Sequence, residues 1–307
     1  MELDFAKLHG LGNDFVIIDD RERTIELAVE QVVRLCDRHF GIGADGVILV
    51  RPSEDPACAA YMHYINADGT LAQMCGNGVR CFAKYLVDRE LVAPDARELV
   101  ADTLSGPKPI GFEVDGKGKL VCATVDMGRP VLDPAAVPVR AEANAESEQG
   151  MPYVRELPLE SPWGVFSFTC VSMGNPHAVC FVEDWEALAD ELFADPSDKR
   201  LDMLDLDRVG AFFEAHEAFP EKANIEFVTV GAGGLAMRVY ERGCGETLAC
   251  GTGACAVQVA ALLTGHAGCE NDVDLRGGTL HIAWGDDGRV RMTGPATESF
   301  NGKVVVA

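Results

Sequence analysis

One unusual pattern occurs twice in this chain, and it limits the possible folds more than any other feature. "QMCGNGVRCF" (Gln73–Phe82) and "LACGTGACAV" (Leu248–Val257) each set a cysteine directly before a Gly-x-Gly run that opens a helix-like stretch. Aligned on Cys75 and Cys250, the match extends upstream. Asn66 and Glu241 each stand nine positions before the cysteine, and "GLGNDFVIID", with Asn13, is echoed by "SMGNPHAVCFV", with Asn175. Self-similarity on this scale is the signature of a duplicated folding unit. With 307 residues, 48% of them hydrophobic, each copy has enough chain to bury a core of its own. The seam is expected after "DMGRP" (Asp126–Pro130), which gives domains at 1–128 and 129–293.

Within each copy both hydrophobic periods occur, so the expected class is α+β. Strands are predicted at Phe15–Asp19, Val47–Arg51, Phe166–Val171, His177–Val182, Ile225–Val230 and Ala236–Tyr240, where β-branched and aromatic residues cluster. Hairpin turns are predicted at Asp115-Gly116 and Asp287-Gly288. Helices are predicted at Val29–Phe40 and Gly78–Leu91, and after the second cysteine in "GACAVQVAALLTG". That last stretch is apolar nearly all round, which predicts a central helix wrapped by strands. The acidic segments Arg140–Gly150 and Asp184–Arg208 read as solvated elaborations of the second half.

Charge and composition exclude several classes of function. A formal net charge of −23 argues against a nucleic-acid partner, whose phosphates demand clustered Lys and Arg. No apolar run reaches the roughly 18 residues of a membrane span, and the N-terminus lacks the pattern of a secretory signal, so a cytoplasmic protein is expected. The 11 cysteines include no C-x-x-C pair, and the 7 histidines lack ligand spacing, so neither a disulfide framework nor a metal site is predicted. Cys122, Cys170 and Cys180 read as small core residues, as do Cys81 and Cys255; Cys244 falls in a turn. "GIGADG" (Gly41–Gly46) matches a dinucleotide fingerprint by letter, but it follows a helix and precedes a strand. It therefore reads as a glycine turn.

The chemistry of the repeated motif follows from where it lies. A helix N-terminus offers unpaired N–H groups and partial positive charge, so a thiol there is expected to ionise more readily. The backbone amides of Gly76, Asn77, Gly251 and Thr252 are placed to hold a carboxylate. Two such thiols brought into one cleft by pseudo-symmetry can deprotonate a carbon from one face and reprotonate it from the other, with stereoinversion as the result. Asn13, Asn66, Asn175 and Asn224 stand at edges of strand-like runs and form a polar set suited to a zwitterionic small molecule, with Glu241 and Arg242 beside them.

On these motifs the chain resembles the diaminopimelate epimerase family of cofactor-independent racemases. The resemblance runs end to end, through "KLHGLGNDFVIID", "RHFGIGADGVILV", "INADGTLAQMCGNGVRCFAKYL", "VSMGNPHAVCFV", "ANIEFV", "VYERGCGETLACGTGACA" and "GPATESFNG". It implies two pseudo-symmetric α+β domains, each a β-barrel-like sheet around a central helix, with the active site in the cleft. The strand from 294 to 307 returns to complete the first domain. It also implies interconversion of LL- and meso-diaminopimelate for lysine and peptidoglycan synthesis, with no cofactor and no metal, and a homodimer. By the same resemblance Cys75 and Cys250 are the acid/base pair, and His177 and Glu241 aid thiol ionisation. Asn13, Asn66, Asn175, Asn224, Glu241 and Arg242 are substrate contacts, with the amides of Gly76, Asn77, Gly251 and Thr252 as the carboxylate cradle.

This chain departs from the family's pattern at Gly46, where some members carry a glutamine contact, at Cys244, and in its longer second half. Two rival readings make different predictions. A sister racemase acting on proline, hydroxyproline or another amino acid would depend little on Glu241 and Arg242. A thiol redox or metal-binding protein would work through a Cys75–Cys250 disulfide or a bound metal.

Overall fold

The computed structural model describes residues 1–72 and 74–306; Gln73 of the first cysteine motif lies outside the described residues. The chain divides into two units, Met1–Asp126 with the residues from Thr293 on, and Met127–Met292.

The first unit contains β1 (Glu2–Gly10), β2 (Asn13–Asp19), α1 (Val29–Cys36), β3 (Gly46–Arg51), β4 (Ala60–Asn66), α2 (Gly76–Asp88), β5 (Glu98–Asp102), β6 (Lys108–Val114) and β7 (Leu120–Gly128). β1 pairs antiparallel with β2, β2 parallel with β3, β3 antiparallel with β4, β4 parallel with β5, and β5 antiparallel with β6. α2 packs against β1, β2, β3 and β5, and it is buried almost along its whole length. Its two buried cations are satisfied locally: Arg80 donates to Pro295 O and Asn77 Oδ1, and Lys84 to Leu120 O.

The second unit opens with the short pair β8 (Ala145–Glu146) and β9 (Pro152–Tyr153), followed by β10 (Leu157–Ser161), β11 (Gly164–Ser172), β12 (Pro176–Phe181), α3 (Leu206–Glu214), β13 (Asn224–Gly231) and β14 (Gly234–Glu241). Next come β15 (Gly245–Glu246), α4 (Gly251–Thr264), β16 (Glu270–Leu275), β17 (Gly278–Trp284) and β18 (Val290–Pro295); β19 (Thr297–Val305) returns to pair with β1 in the first unit. From β11 onward the pairing order is antiparallel to β12, parallel to β13, antiparallel to β14, parallel to β16 and antiparallel to β17. The first unit follows the same alternation, so the repeat in the sequence is also a repeat in topology. α4 packs against β11, β12, β13, β16 and β17. Its residues Val257 and Val259 are fully buried, each contributing about 1.5–3 kcal/mol.

Five of the six strand segments expected from β-rich runs fall within observed strands, and the sixth, His177–Val182, runs one residue past the end of β12; the helix expected at Gly78–Leu91 is α2, which starts at Gly76 and ends at Asp88. The turns at 115–119 and 285–289 are closed by Asp115 N to Lys119 O and Gly285 N to Arg289 O. "GIGADG" joins α1 to β3 as a turn.

Three expectations need correction. The first helix stops at Cys36 rather than Phe40, because the Asp37 carboxylate accepts the N–H groups of His39 and Phe40 and makes a local turn. Cys122 is only half-buried, since its strand has one open face. The acidic segment 184–208 is more than a solvated face. Leu192, Phe193, Leu201, Leu204 and Leu206 pack into the core with Phe168, Phe213 and Phe227, while the carboxylates between them stay outside.

Candidate active site

Each motif cysteine is the residue that caps a helix. Cys75 precedes α2 and Cys250 precedes α4, both with extended backbone, so each thiol sits at the mouth of a first turn whose amides have no intrahelical acceptor. These amides include those of Gly76 and Asn77 in α2 and of Gly251 and Thr252 in α4.

Around Cys75 the structure gathers Asn13 and Asn77. Asn13 Oδ1 accepts from Cys75 Sγ at 3.5 Å and from Asn77 Nδ2 at 3.2 Å. The other end of the Asn13 amide is fixed as well: Nδ2 donates to Asp45 Oδ2 at 2.6 Å. A carboxylate only accepts, so Asp45 dictates which end of Asn13 faces the thiol. Behind it, Asp14 is held by Lys7 at 2.9 Å and by Arg38 at 2.8 Å, and Lys7 also donates to Gly43 O. Asn66, at the end of β4, donates to Thr70 Oγ1 at 3.0 Å and lies opposite Gly46 in the β3–β4 register. Position 46 has no room for a longer residue. A Cβ there would lie 2.6 Å from Ile65 O and 2.6 Å from the Tyr64 ring, so the contact expected of a glutamine is excluded by this backbone.

Around Cys250 the surroundings differ in kind. Gly253 N donates to Cys250 Sγ at 3.4 Å, and Thr252 Oγ1 lies 3.5 Å away. Glu241 ends β14, and its carboxylate accepts from Thr247 Oγ1 at 2.5 Å. His177 is buried in β12, with Nδ1 2.6 Å from Glu226 Oε1 and Nε2 3.1 Å from Asn175 Oδ1. Asn224 braces the backbone: Nδ2 donates to Pro176 O at 2.8 Å, and Oδ1 accepts from Arg242 N at 2.9 Å. The Arg242 guanidinium is exposed and donates to Glu221 O at 3.1 Å.

The thiol of Cys250 runs against expectation. Burial, followed by the negative charges of Glu241 and Glu226, pushes it well above the ordinary range, outweighing the bonds from Thr252 and Gly253 that favour thiolate. Glu241 therefore opposes ionisation of Cys250 in this state, and the thiol holds its proton. Cys81, one turn into α2, is pushed up to about 12 by burial, as suits a core residue. Among the described residues, no group of three or more His, Cys, Asp or Glu is arranged to hold a metal.

Glu226 and Thr247 carry no signal in the cysteine motifs. The clue to Glu226 was a lone acid inside the apolar run "IEFVTV"; the clue to Thr247 was its place six residues after Glu241.

A family model described as diaminopimelate epimerase matches residues 5–132 and 169–298, spanning both cysteine motifs. The chain belongs to the diaminopimelate epimerase family. A diaminopimelate epimerase of Leptospira biflexa is 41% identical over 307 residues, covering 100% of both chains. Those of Desulfovibrio desulfuricans and Acetivibrio thermocellus are 42% and 43% identical, covering 99% and 98% of this chain and of theirs. Among solved structures, a hydroxyproline epimerase from Agrobacterium vitis covers 99% of this chain and 92% of its own at a TM-score of 0.67, and a probable proline racemase from Agrobacterium radiobacter covers 99% and 93% at 0.66. Their identities of 13% and 14% speak to the fold: a two-domain α+β architecture shared across racemases of this kind.

Proposed function

We propose that this chain is a diaminopimelate epimerase that interconverts the LL and meso isomers of 2,6-diaminopimelate, with Cys75 and Cys250 acting on one α-carbon as thiolate base and thiol acid. The isomerase assignment rests on family membership over the full chain. The two-thiol mechanism is supported by one observation above the others: two topologically repeated units each place a cysteine, in extended backbone, as the cap of a buried helix. In this reading the two units are the epimerase domains, the first completed by the C-terminal strand. The first-turn amides of α2 and α4 receive the α-carboxylate. Asn13, Asn66, Asn175, Asn224, Glu241 and Arg242 divide between the reacting centre and the distal amino-acid end.

The chemistry demands such an arrangement. An α-proton next to a carboxylate is very weakly acidic, so removing it requires a desolvated base and preorganised donors for the charge that develops. The product belongs to the synthesis of lysine and of peptidoglycan precursors, and we assign the enzyme to the cytoplasm as a homodimer. The sister reading, a racemase for proline or hydroxyproline, has structural neighbours at 13–14% identity on its side, which carry the fold alone.

Incubating the purified protein with LL-diaminopimelate in heavy water, with chelator and reductant and without pyridoxal phosphate, tests the assignment. α-Deuteration together with meso product, lost in Cys75→Ser and in Cys250→Ser, is the expected result. Absence of exchange by the reduced wild type would remove this substrate.

A further inference from the structure

The buried pair His177–Glu226 is expensive for a fold to keep. Both side chains are inaccessible, and Glu226 Oε2 has no hydrogen-bond partner among the described residues. A buried unpaired carboxylate oxygen is costly. The repeat supplies an internal control. Phe15 pairs with Gly46 across β2–β3 as His177 pairs with Asn224 across β12–β13, so Phe15 is the counterpart of His177 and Ile48 that of Glu226. Phe15 and Ile48 are fully buried and apolar. The same topology is thus built in the first unit with apolar side chains at these two positions, and folding does not account for the pair in the second.

Its position suggests a purpose. A Cβ on Gly253 would lie 3.0 Å from Glu226 Oε1 and 3.3 Å from Cys250 Sγ, so the carboxyl sits directly behind the first turn that carries the thiol. The groups around it are His177, Glu241, Cys250 and Cys170. The 2.6 Å contact between Oε1 and Nδ1 requires one proton between them. On the other side of the ring, Nε2 faces Asn175 Oδ1 at 3.1 Å, and an amide oxygen only accepts, so Nε2 carries a proton and donates it there. Asn175 is then held with its NH2 group turned away from the ring.

We propose that Glu226 is a positioning residue for the Cys250 half-reaction: by sharing one proton with His177 it fixes the ring with Nε2–H on Asn175. This deepens the epimerase reading and rests on it. Burial of Glu226, which raises its proton affinity against the opposing influence of His177, favours the shared proton.

The test uses Glu226→Ile, Glu226→Gln and the double variant His177→Phe with Glu226→Ile, which grafts the first unit's apolar pair. The double variant should fold with a Tm equal to or above wild type, since well-packed apolar residues can replace a buried polar pair at no cost. In Glu226→Ile the ring loses its partner, and kcat should fall roughly 10- to 100-fold, the range for losing a group that orients a functional imidazole. In Glu226→Gln the amide N–H donates to Nδ1, keeps the proton on Nε2 and should restore most of kcat. Nitrogen NMR of histidine-labelled protein, with the His177 signals assigned from the double variant, should show Nε2 protonated in wild type and Glu226→Gln but not held so in Glu226→Ile. Wild-type kcat in Glu226→Ile would overturn the proposal. So would a Glu226→Gln enzyme as slow as Glu226→Ile with Nε2 still protonated, because charge rather than positioning would then be the requirement. A wild type inactive on diaminopimelate would sink the substrate reading, while the nitrogen spectra would still decide whether the proton is shared.

Discussion

The two helix starts share a backbone plan and differ in what lies beneath them. Under the first turn of α2, a Cβ on Gly78 would meet Met62 Cε at 3.0 Å and Phe15 Cζ at 3.4 Å; under α4, the same atom on Gly253 meets the Glu226 carboxyl and the Cys250 sulfur. The first thiol is half-buried and bonded to Asn13, an amide held by Asp45. The second is buried among carboxylates that raise its affinity for a proton. Duplication conserved the scaffold, and the electrostatics diverged. The proposed two-thiol reaction would use this difference, since it needs one thiolate and one thiol at the start.

The largest expected effect tests whether both sites are needed. Cys75→Ser and Cys250→Ser should each lower epimerisation by about 10²–10⁴-fold, because a serine hydroxyl is a far weaker base and acid–base groups contribute on this scale. If either variant keeps near-wild-type turnover in the heavy-water assay, the pairing of the two sites is broken. Next comes the reverse graft. Phe15→His with Ile48→Glu buries a polar pair where the first unit has packed apolar side chains, and it should cost about 3–5 kcal/mol of stability by denaturant unfolding. A cost near zero would mean that the scaffold accepts the pair anywhere, and its presence in the second unit would then need no functional reason.

Much of this was readable before the fold was known, for reasons that show where such reading stops. The cysteine motifs and the strands at Val47–Arg51 and Ile225–Val230 announce themselves locally, through Gly-x-Gly breaks and β-branched runs. Glu226 was legible as a strand residue but not as part of a site, because its meaning comes from His177 on the neighbouring strand, a partner 49 residues away in sequence. α3 was missed: its hydrophobic face begins with Leu206, at the end of a stretch whose acidity dominates the local pattern, and continues with Val209 just beyond it. The expectation of a lowered thiol pKa failed at Cys250 for a similar reason. Helix position is local information, whereas burial beside Glu241 and Glu226 is tertiary.

Smaller effects sharpen the contrast. Gly78→Ala presses on the flexible end of Met62, so the gain in helix propensity of up to about 1 kcal/mol should survive in part. Gly253→Ala presses on Glu226 and on the thiol itself, and should lower kcat several-fold with little change in Tm. Equal responses of the two glycines in activity would erase the distinction between the two first turns. Glu241→Gln removes a negative charge that raises the Cys250 thiol, so thiolate should form at lower pH than in wild type, as read from ultraviolet thiolate absorbance against a Cys250→Ser blank. Activity should fall nonetheless if Glu241 also holds substrate. A thiolate titration unmoved or shifted upward would show that Glu241 does not act on Cys250 through its charge.

The smallest effect concerns the charge cluster behind Asn13. Asp14 lies next to Asn13, and its counterpart in the second unit is Pro176, which cannot carry a charge. Burial works against the Asp14 carboxylate, but hydrogen bonds and charges from Arg38 and Lys7 outweigh it and hold the carboxyl below its ordinary 3.8. A carboxyl with a lowered folded-state pKa binds fewer protons in the fold than in the unfolded chain. Its stabilisation is therefore fully present above the unfolded value and is lost as pH falls through the folded one. Because Arg38 is more than half exposed, the contribution is screened and should be below about 1 kcal/mol. Asp14→Asn should accordingly be slightly less stable than wild type at neutral pH, with the gap closing as pH falls below 3.8. A gap that stays constant across that window would mean that Asp14 acts through packing or hydrogen bonding alone. The charged cluster behind Asn13 would then be no more electrostatic in its effect than the proline that replaces it in the second unit.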